Sequence, residues 1–175
     1  MGNSAPYQFA NTLRFRPVRP LADANRLIRY GRDLYVESLG TDAEFCRDYG
    51  VYGQRFPMWI AACAARDPAL AVFLLKEGAP VGFAAMGVAR DRQGLKAPTT
   101  GLVHHFYVDP SCRGQGYGGL LDDYARAKLK SAGCSFARLN VTKSNARAIR
   151  FYLAQGWRDI GAPSGSILRH MELAL

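Results

Sequence analysis

The residues of this 175-residue chain that could do chemistry concentrate in one stretch, Leu102-Val103-His104-His105-Phe106-Tyr107-Val108-Asp109-Pro110-Ser111-Cys112-Arg113-Gly114-Gln115-Gly116-Tyr117-Gly118-Gly119. It reads as a strand, a turn and a glycine-rich loop opening a helix. Unsatisfied N–H groups at a helix start, approached closely past glycines and favoured by the helix dipole, form a cradle for phosphate oxygens. Arg113 can add a charge-assisted contact. Further on, Asn145 and Tyr152 lie two helical turns apart, so their side chains face one way at about 10 Å along the axis. That spacing suits one extended ligand. His104 and His105, with reference pKa values near ~6.5, could each accept a proton at physiological pH.

The phosphate ligand must be chosen among alternatives, because Gly114-x-Gly116-x-x-Gly119 also satisfies the dinucleotide fingerprint. A nicotinamide site wants an acidic residue about twenty positions on, at the end of the next strand, to hold the ribose. Here that strand ends Asn140-Val141-Thr142-Lys143. A P-loop is excluded as well, since no Gly-Lys-Ser/Thr follows the glycines.

The elements that must carry these residues follow from periodicity. Residues 1–11 read as a flexible lead and 12–175 as one domain. Thr12 to Val18 alternates as a strand, and Leu21, Ala24, Leu27, Ile28 and Leu34 mark a helix entered at Pro20. A second helical region runs from Asp42 to about Arg66, and Gly50 to Gly53 and Pro57 divide it into two shorter helices. Leu70 to Lys76 and Pro80 to Ala89 form a hairpin across Glu77-Gly78-Ala79. Arg90 to Thr100 is a connecting loop, and Gly101 to Val108 a third strand of this group. A helix from Tyr117 stops at Gly133. Phe136 to Thr142 is a strand, Asn145 to Gln155 a short helix, and Trp157 to Ile160 and Ser166 to Leu173 two closing strands. The order β-α-α-β-β-β-α-β-α-β-β predicts an α/β fold with helices on both faces of a mixed sheet.

Composition narrows the class. Hydrophobic residues make up 49% and charged residues 21% of the chain, as in ordinary globular domains, and no apolar run approaches the ~20 residues of a membrane span. Cys46, Cys63, Cys112 and Cys134 form no C-x-x-C pair and no His stands at ligand spacing, so no metal site and no disulfide framework is expected. The N-terminus shows no secretory pattern, and Pro6 stands where a myristoylation site wants Ser or Thr. A cytoplasmic setting fits these features. The net charge of +9 is spread evenly and favours arginine, 18 to 5 over lysine. Forked guanidinium donors suit phosphate groups. No aromatic-interleaved basic run supports nucleic-acid binding.

Read as Arg113-x-x-Gly116-x-Gly118 after Val108-Asp109-Pro110, the loop closely resembles the acetyl-CoA signature of the GCN5-related N-acetyltransferase (GNAT) superfamily. The run Asn145-Ala146-Arg147-Ala148-Ile149-Arg150-Phe151-Tyr152-Leu153-Ala154-Gln155-Gly156-Trp157 resembles its second hallmark. The resemblance implies an acetyl-CoA:amine N-acetyltransferase acting by direct attack in a ternary complex. The donor would lie between splayed parallel strands, Gly101 to Val108 and Phe136 to Thr142. Its pyrophosphate would meet Arg113 and the amides of Gly114, Gln115, Gly116, Tyr117 and Gly118. Its pantetheine arm would pair with Phe106, Tyr107 and Val108, where a bulge frees an amide for the thioester carbonyl. Asn145 would contact that arm or cap its helix, and the Tyr152 hydroxyl would protonate the departing thiolate.

Many relatives carry a glutamate on the strand before the loop, and this strand has none. Alternation puts His104 with Leu102, Phe106 and Val108, and His105 with Val103 and Tyr107. The expected base is His104, with His105 or a water relay as alternatives. Tyr30, Tyr35, Phe45, Tyr49, Tyr52, Phe56 and Trp59 fall where relatives build an acceptor pocket, and read mainly as core. Glu37, Asp42, Glu44 and Asp48 read as solvated helix surface, and His170 as structural. Cys112 beside Arg113 suits no acyl relay. The acceptor would be a small-molecule or peptide amine, and the C-terminal strands could pair across a homodimer. The alternative is a non-catalytic acyl-CoA-binding or sensing module.

Overall fold

The computed structural model describes residues 13–89 and 99–175, and their apolar periodicity resolves into seven strands and five helices. The strands are β1 (Leu13–Pro17), β2 (Ala71–Lys76), β3 (Ala79–Ala89), β4 (Thr99–Val108), β5 (Cys134–Thr142), β6 (Arg158–Gly161) and β7 (Leu168–Ala174). The helices are α1 (Ala24–Leu39), α2 (Ala43–Tyr49), α3 (Arg55–Ala64), α4 (Tyr117–Ser131) and α5 (Ala146–Ala154). One open sheet takes the order β1-β2-β3-β4-β5-β7-β6. Its pairs are antiparallel except β4 with β5, which run parallel. The fold is the α/β arrangement that the sequence predicts. The divided second helical region is α2 and α3, with Pro57 in the first turn of α3, where its missing N–H costs nothing. The expected lead, residues 1–11, and positions 90–98 of the expected loop lie outside the described residues; Thr99 and Thr100 belong to β4.

One boundary differs from expectation. The first helix begins at Ala24, not at Pro20, and Leu21 stands 92% exposed. Asp23 explains the shift. Its carboxylate is taken by both guanidinium nitrogens of Arg16 at 2.9 Å and by the amide of Arg19 at 2.7 Å, which holds Arg19 to Asp23 as a turn that ties β1 to the helix.

Two layers cover the sheet. On one side α1, α2 and α3 pack Leu27, Tyr30, Phe45, Phe56 and Ile60 against Phe73, Phe83, Ala85 and Tyr107. Tyr30, Phe45 and Phe56 are wholly buried, and each such side chain is worth roughly 1.5–3 kcal/mol of transfer free energy. On the other side α4 and α5 bury Leu121, Ala125, Leu129 and Tyr152 with Met86, Val103, Leu139 and Met171.

A buried polar node joins the second layer. The Asp122 carboxylate, 1% exposed, accepts the Trp157 indole N–H at 3.0 Å and pairs with Arg126, which donates in turn to the Gln155 carbonyl. Burial pushes the Asp122 pKa up, and these hydrogen bonds oppose that shift. The node fixes the end of α5 to α4. Asp122→Ala leaves the Trp157 N–H buried and unpaired, and should cost about 2 kcal/mol as a lowered urea midpoint with unchanged slope.

Candidate functional site

The site starts from a failure of pairing. β4 and β5 run side by side from Thr99 and Cys134 only as far as Val103 and Leu139, the last paired residues, although both strands continue, to Val108 and Thr142. Beyond that point a cleft of about 710 Å³ opens between them. It is bordered by the glycine loop, the start of α5 and the C-terminal end of α1.

A bulge sits at the base of this opening. Ala85 pairs with His105 and Met86 with Val103, so His104 has no partner in β3. The extra residue interrupts strict alternation. The expectation that His104 shares the face of Phe106 and Val108 is therefore corrected. Its ring lies 5.2 Å from Trp59 of α3, on the face of His105, which contacts Phe56 at 4.9 Å and Trp59 at 5.2 Å. The bulge also stands earlier than expected, at His104 rather than among Phe106 to Val108.

The two histidines differ in environment. His105 is buried, its Nδ1 lacks a partner, and burial drives its pKa down to about 3, with a smaller push from His104. His104 is exposed at the rim, yet the wall beside it removes enough water to lower its pKa too. Both rings are neutral at pH 7.

At the loop, Pro110 to Cys112 form a 3-10 turn capped by Asp109, whose carboxylate accepts the Ser111 amide. Gly114 and Gly116 then adopt φ of 76° and 81°, a left-handed backbone that glycine takes without strain, and space beside each is open. The first amides of α4 have no carbonyl one turn earlier to bond. Gly118 has a different reason. A Cβ there would stand 3.1 Å from the Phe151 ring, so this glycine lets α5 approach α4.

Arg113 is oriented by its own strand. Its Nε donates to the Val108 carbonyl at 2.9 Å, and its guanidinium lies 5.7 Å from the centre of the Tyr107 ring. Opposite it, the Asn145 side chain accepts the Ala148 amide at 3.0 Å and so caps α5. Tyr152 is buried among Phe106, Phe151 and Trp157, at ring separations of 6.0, 5.3 and 5.7 Å. Burial, assisted by Asp122, raises its pKa well above the usual phenol range. Its hydroxyl is therefore protonated at neutral pH.

The cleft gathers His104, Phe106, Tyr107, Val108, Arg113, Gly114, Gly116, Tyr117, Gly118, Asn145 and Tyr152. Gln115 is outside its lining, exposed, and accepts the Tyr117 hydroxyl at 3.1 Å. The Tyr107 hydroxyl turns toward α1 and donates to Asp33 at 3.0 Å. Among the expected aromatics, Tyr30, Phe45 and Phe56 are core, Tyr52 is 79% exposed, and Tyr35 reaches the cleft.

Sequence reasoning missed two participants, Glu37 and Arg147. Glu37, expected on solvated helix surface, accepts Arg113 at 2.6 Å and Arg147 at 2.8 Å. The signal available was spacing: Tyr30, Asp33 and Glu37 recur at three and four residues along α1, and all three meet β4 or the loop after it. A carboxylate held between two guanidinium groups beside open amides is the environment a phosphate would require. Among the described residues, no cluster of His, Cys, Asp and Glu could hold a metal ion, and no helix is long and apolar enough to cross a membrane.

The sequence profile described as the Acetyltransferase (GNAT) family matches residues 32–157. No curated protein matches the chain. Among solved structures, the PaiA N-acetyltransferase of Thermoplasma acidophilum in complex with coenzyme A is similar at a TM-score of 0.75 and 15% identity, covering 94% of this chain and 99% of that one. A GCN5-related N-acetyltransferase from Ralstonia eutropha JMP134 is similar at 0.68 and 22%, covering 89% and 99%. Arabidopsis thaliana Naa50 in complex with the bisubstrate analogue CoA-Ac-MVNAL is similar at 0.60 and 14%, covering 93% and 99%. These likenesses are of fold.

The His105 environment predicts acid sensitivity. Unfolding releases an imidazole that takes a proton below pH ~6.5, whereas the folded ring resists until about 3. Stability therefore falls with pH across that window, at up to about 1.4 kcal/mol per unit. Urea titrations at pH 7, 6 and 5 should show this slope reduced in His105→Leu, leaving the smaller share due to His104.

Proposed function

The chain belongs to the GNAT family of acetyltransferases, and on that premise we propose that it moves an acetyl group from acetyl-CoA to a primary amine by direct attack in a ternary complex. The observation that carries this reading is the parting of β4 and β5 beyond Val103 and Leu139, directly beside the glycine loop and Tyr152. Acetyl-CoA supplies an activated thioester, and the chain supplies position, polarity and protons.

Arg113 and the amides from Gly114 to Gly118 bind the anionic end of the donor. The edge of β4 that faces β5, without a strand partner beyond Val103, offers strand-like hydrogen bonds to its arm near Phe106 to Val108. An amide at the His104 bulge, released from the β3 ladder, polarises the reacting carbonyl. The Tyr152 hydroxyl donates its proton to the leaving sulfur, which it can do because burial keeps it protonated.

An ammonium cannot attack, so the acceptor must lose a proton. His104 rather than His105 takes it, directly or through water, being the neutral imidazole exposed at the cleft; His105 is too weakly basic and too enclosed. The acceptor is a small-molecule or peptide amine reaching the cleft past Tyr35 and the histidines. The peptide-like portion of the analogue held by Arabidopsis Naa50 supports including peptide N-termini.

Radiolabelled acetyl-CoA with a panel of small amines and peptides tests the proposal. Tyr152→Phe should lower kcat by about a hundredfold or more, with a much smaller change in donor affinity. His104→Ala should lower kcat/KM near neutral pH and recover part of the loss as pH rises toward the acceptor's own pKa. Tight CoA binding with no thiol release on any acceptor would instead establish a non-catalytic acyl-CoA-binding module.

A further inference from the structure

The cleft contains an ion-pair bridge whose carboxylate the proposed reaction does not use. Glu37, near the C-terminal end of α1, bridges Arg113 of the loop and Arg147 in the first turn of α5, one carboxylate oxygen to each. The bridged residues lie 76 and 110 positions away in sequence, and all three border the cleft. Arg113 does not need Glu37 for its orientation, because its Nε is already fixed on the Val108 carbonyl. Its outer nitrogen is thus a prepared donor, and Glu37 is the anion that occupies it.

We propose that Arg113 and Arg147 form a two-arginine clamp for a phosphate group of the donor, and that Glu37 is a built-in competitor which the phosphate must displace. The proposal rests on the acetyl-CoA reading above and extends it to Arg147 and Glu37. Two oxygens of a carboxylate and two of a phosphate offer the same fork to guanidinium donors. The clamp cannot serve both at once, since a phosphate beside an undisplaced Glu37 would set like charges in contact.

The backbone beneath Glu37 is anchored. The Ser38 carbonyl accepts the Ser144 hydroxyl at 2.8 Å and the Thr142 hydroxyl at 3.3 Å, and Asn145 Nδ2 donates to the Ser38 hydroxyl at 3.5 Å. Exchange therefore occurs by rotation of the Glu37 side chain, 25% exposed in the bridge, with α1 held where it is. Until exchange occurs, the carboxylate keeps two like-charged guanidinium groups together.

Isothermal titration with CoA, 3′-dephospho-CoA, inorganic pyrophosphate and acetyl-pantetheine tests the clamp without reference to turnover. Glu37→Gln should tighten CoA about tenfold, and Arg147→Met should weaken it about tenfold, each in the range of a charged contact. Acetyl-pantetheine, lacking phosphate, should respond to neither. A Glu37→Gln effect that persists with 3′-dephospho-CoA and pyrophosphate identifies the diphosphate as the guest, and one lost with them identifies the ribose phosphate. Glu37→Asp, one methylene shorter and able to bridge only one arginine, should fall between wild type and Glu37→Gln, and serves if the latter does not fold. Unchanged or weaker CoA binding in folded Glu37 variants, or no effect of Arg147→Met, overturns the clamp. Absence of CoA binding by the wild type would instead sink the donor assignment itself.

Discussion

The molecule is organised by an interruption of backbone hydrogen bonding between two parallel strands. Buried N–H and C=O groups must be satisfied, and the ends of β4 and β5 give up one another's company after Val103 and Leu139. What borders the gap repairs part of the loss. Arg113 takes the Val108 carbonyl. The groups left over face the cleft, where a strand-like ligand arm could complete the ladder. The cleft thus lies where the scaffold's own regularity stops.

Keeping two strands apart requires rigid supports on each side. On one face α1 is held against β4 by Tyr30 packed on Tyr107 at 4.6 Å and by the Tyr107–Asp33 hydrogen bond. On the other, α5 is fastened to α4 through Asp122, Arg126 and Trp157, and Trp157 returns its own amide to the Tyr152 carbonyl at 3.0 Å. Tyr152 is therefore oriented by a buried network as well as by the helix it belongs to. A side chain locked in this way keeps its polar atom within a fraction of an ångström of one position.

Legibility followed range of interaction. The glycine loop, the cap at Asn145 and the stop at Gly133 are decided within a few residues, and each stands where the sequence predicts it. The fold class is α/β as read, because alternation and turn residues carry its elements. The bulge at His104 was not legible, since it arises from register against Ala85 and Met86, nearly twenty residues earlier. Glu37 looked like surface because its partners lie far along the chain. Leu21 looked like a helix face because nothing in its periodicity reveals that Asp23 is already engaged by Arg16 and Arg19.

The two borders of the sheet differ in character. β7 is spent on both sides, by β5 and β6, so the free C-terminal margin is β6 alone. That margin is four residues long, charged at Arg158 and Asp159, with its register broken between Asp159 and Gly161 and a φ of 82° at Gly161. A hem so short and uneven is a poor template for an incoming strand. Continuous stacking of copies into fibrils through this side is disfavoured.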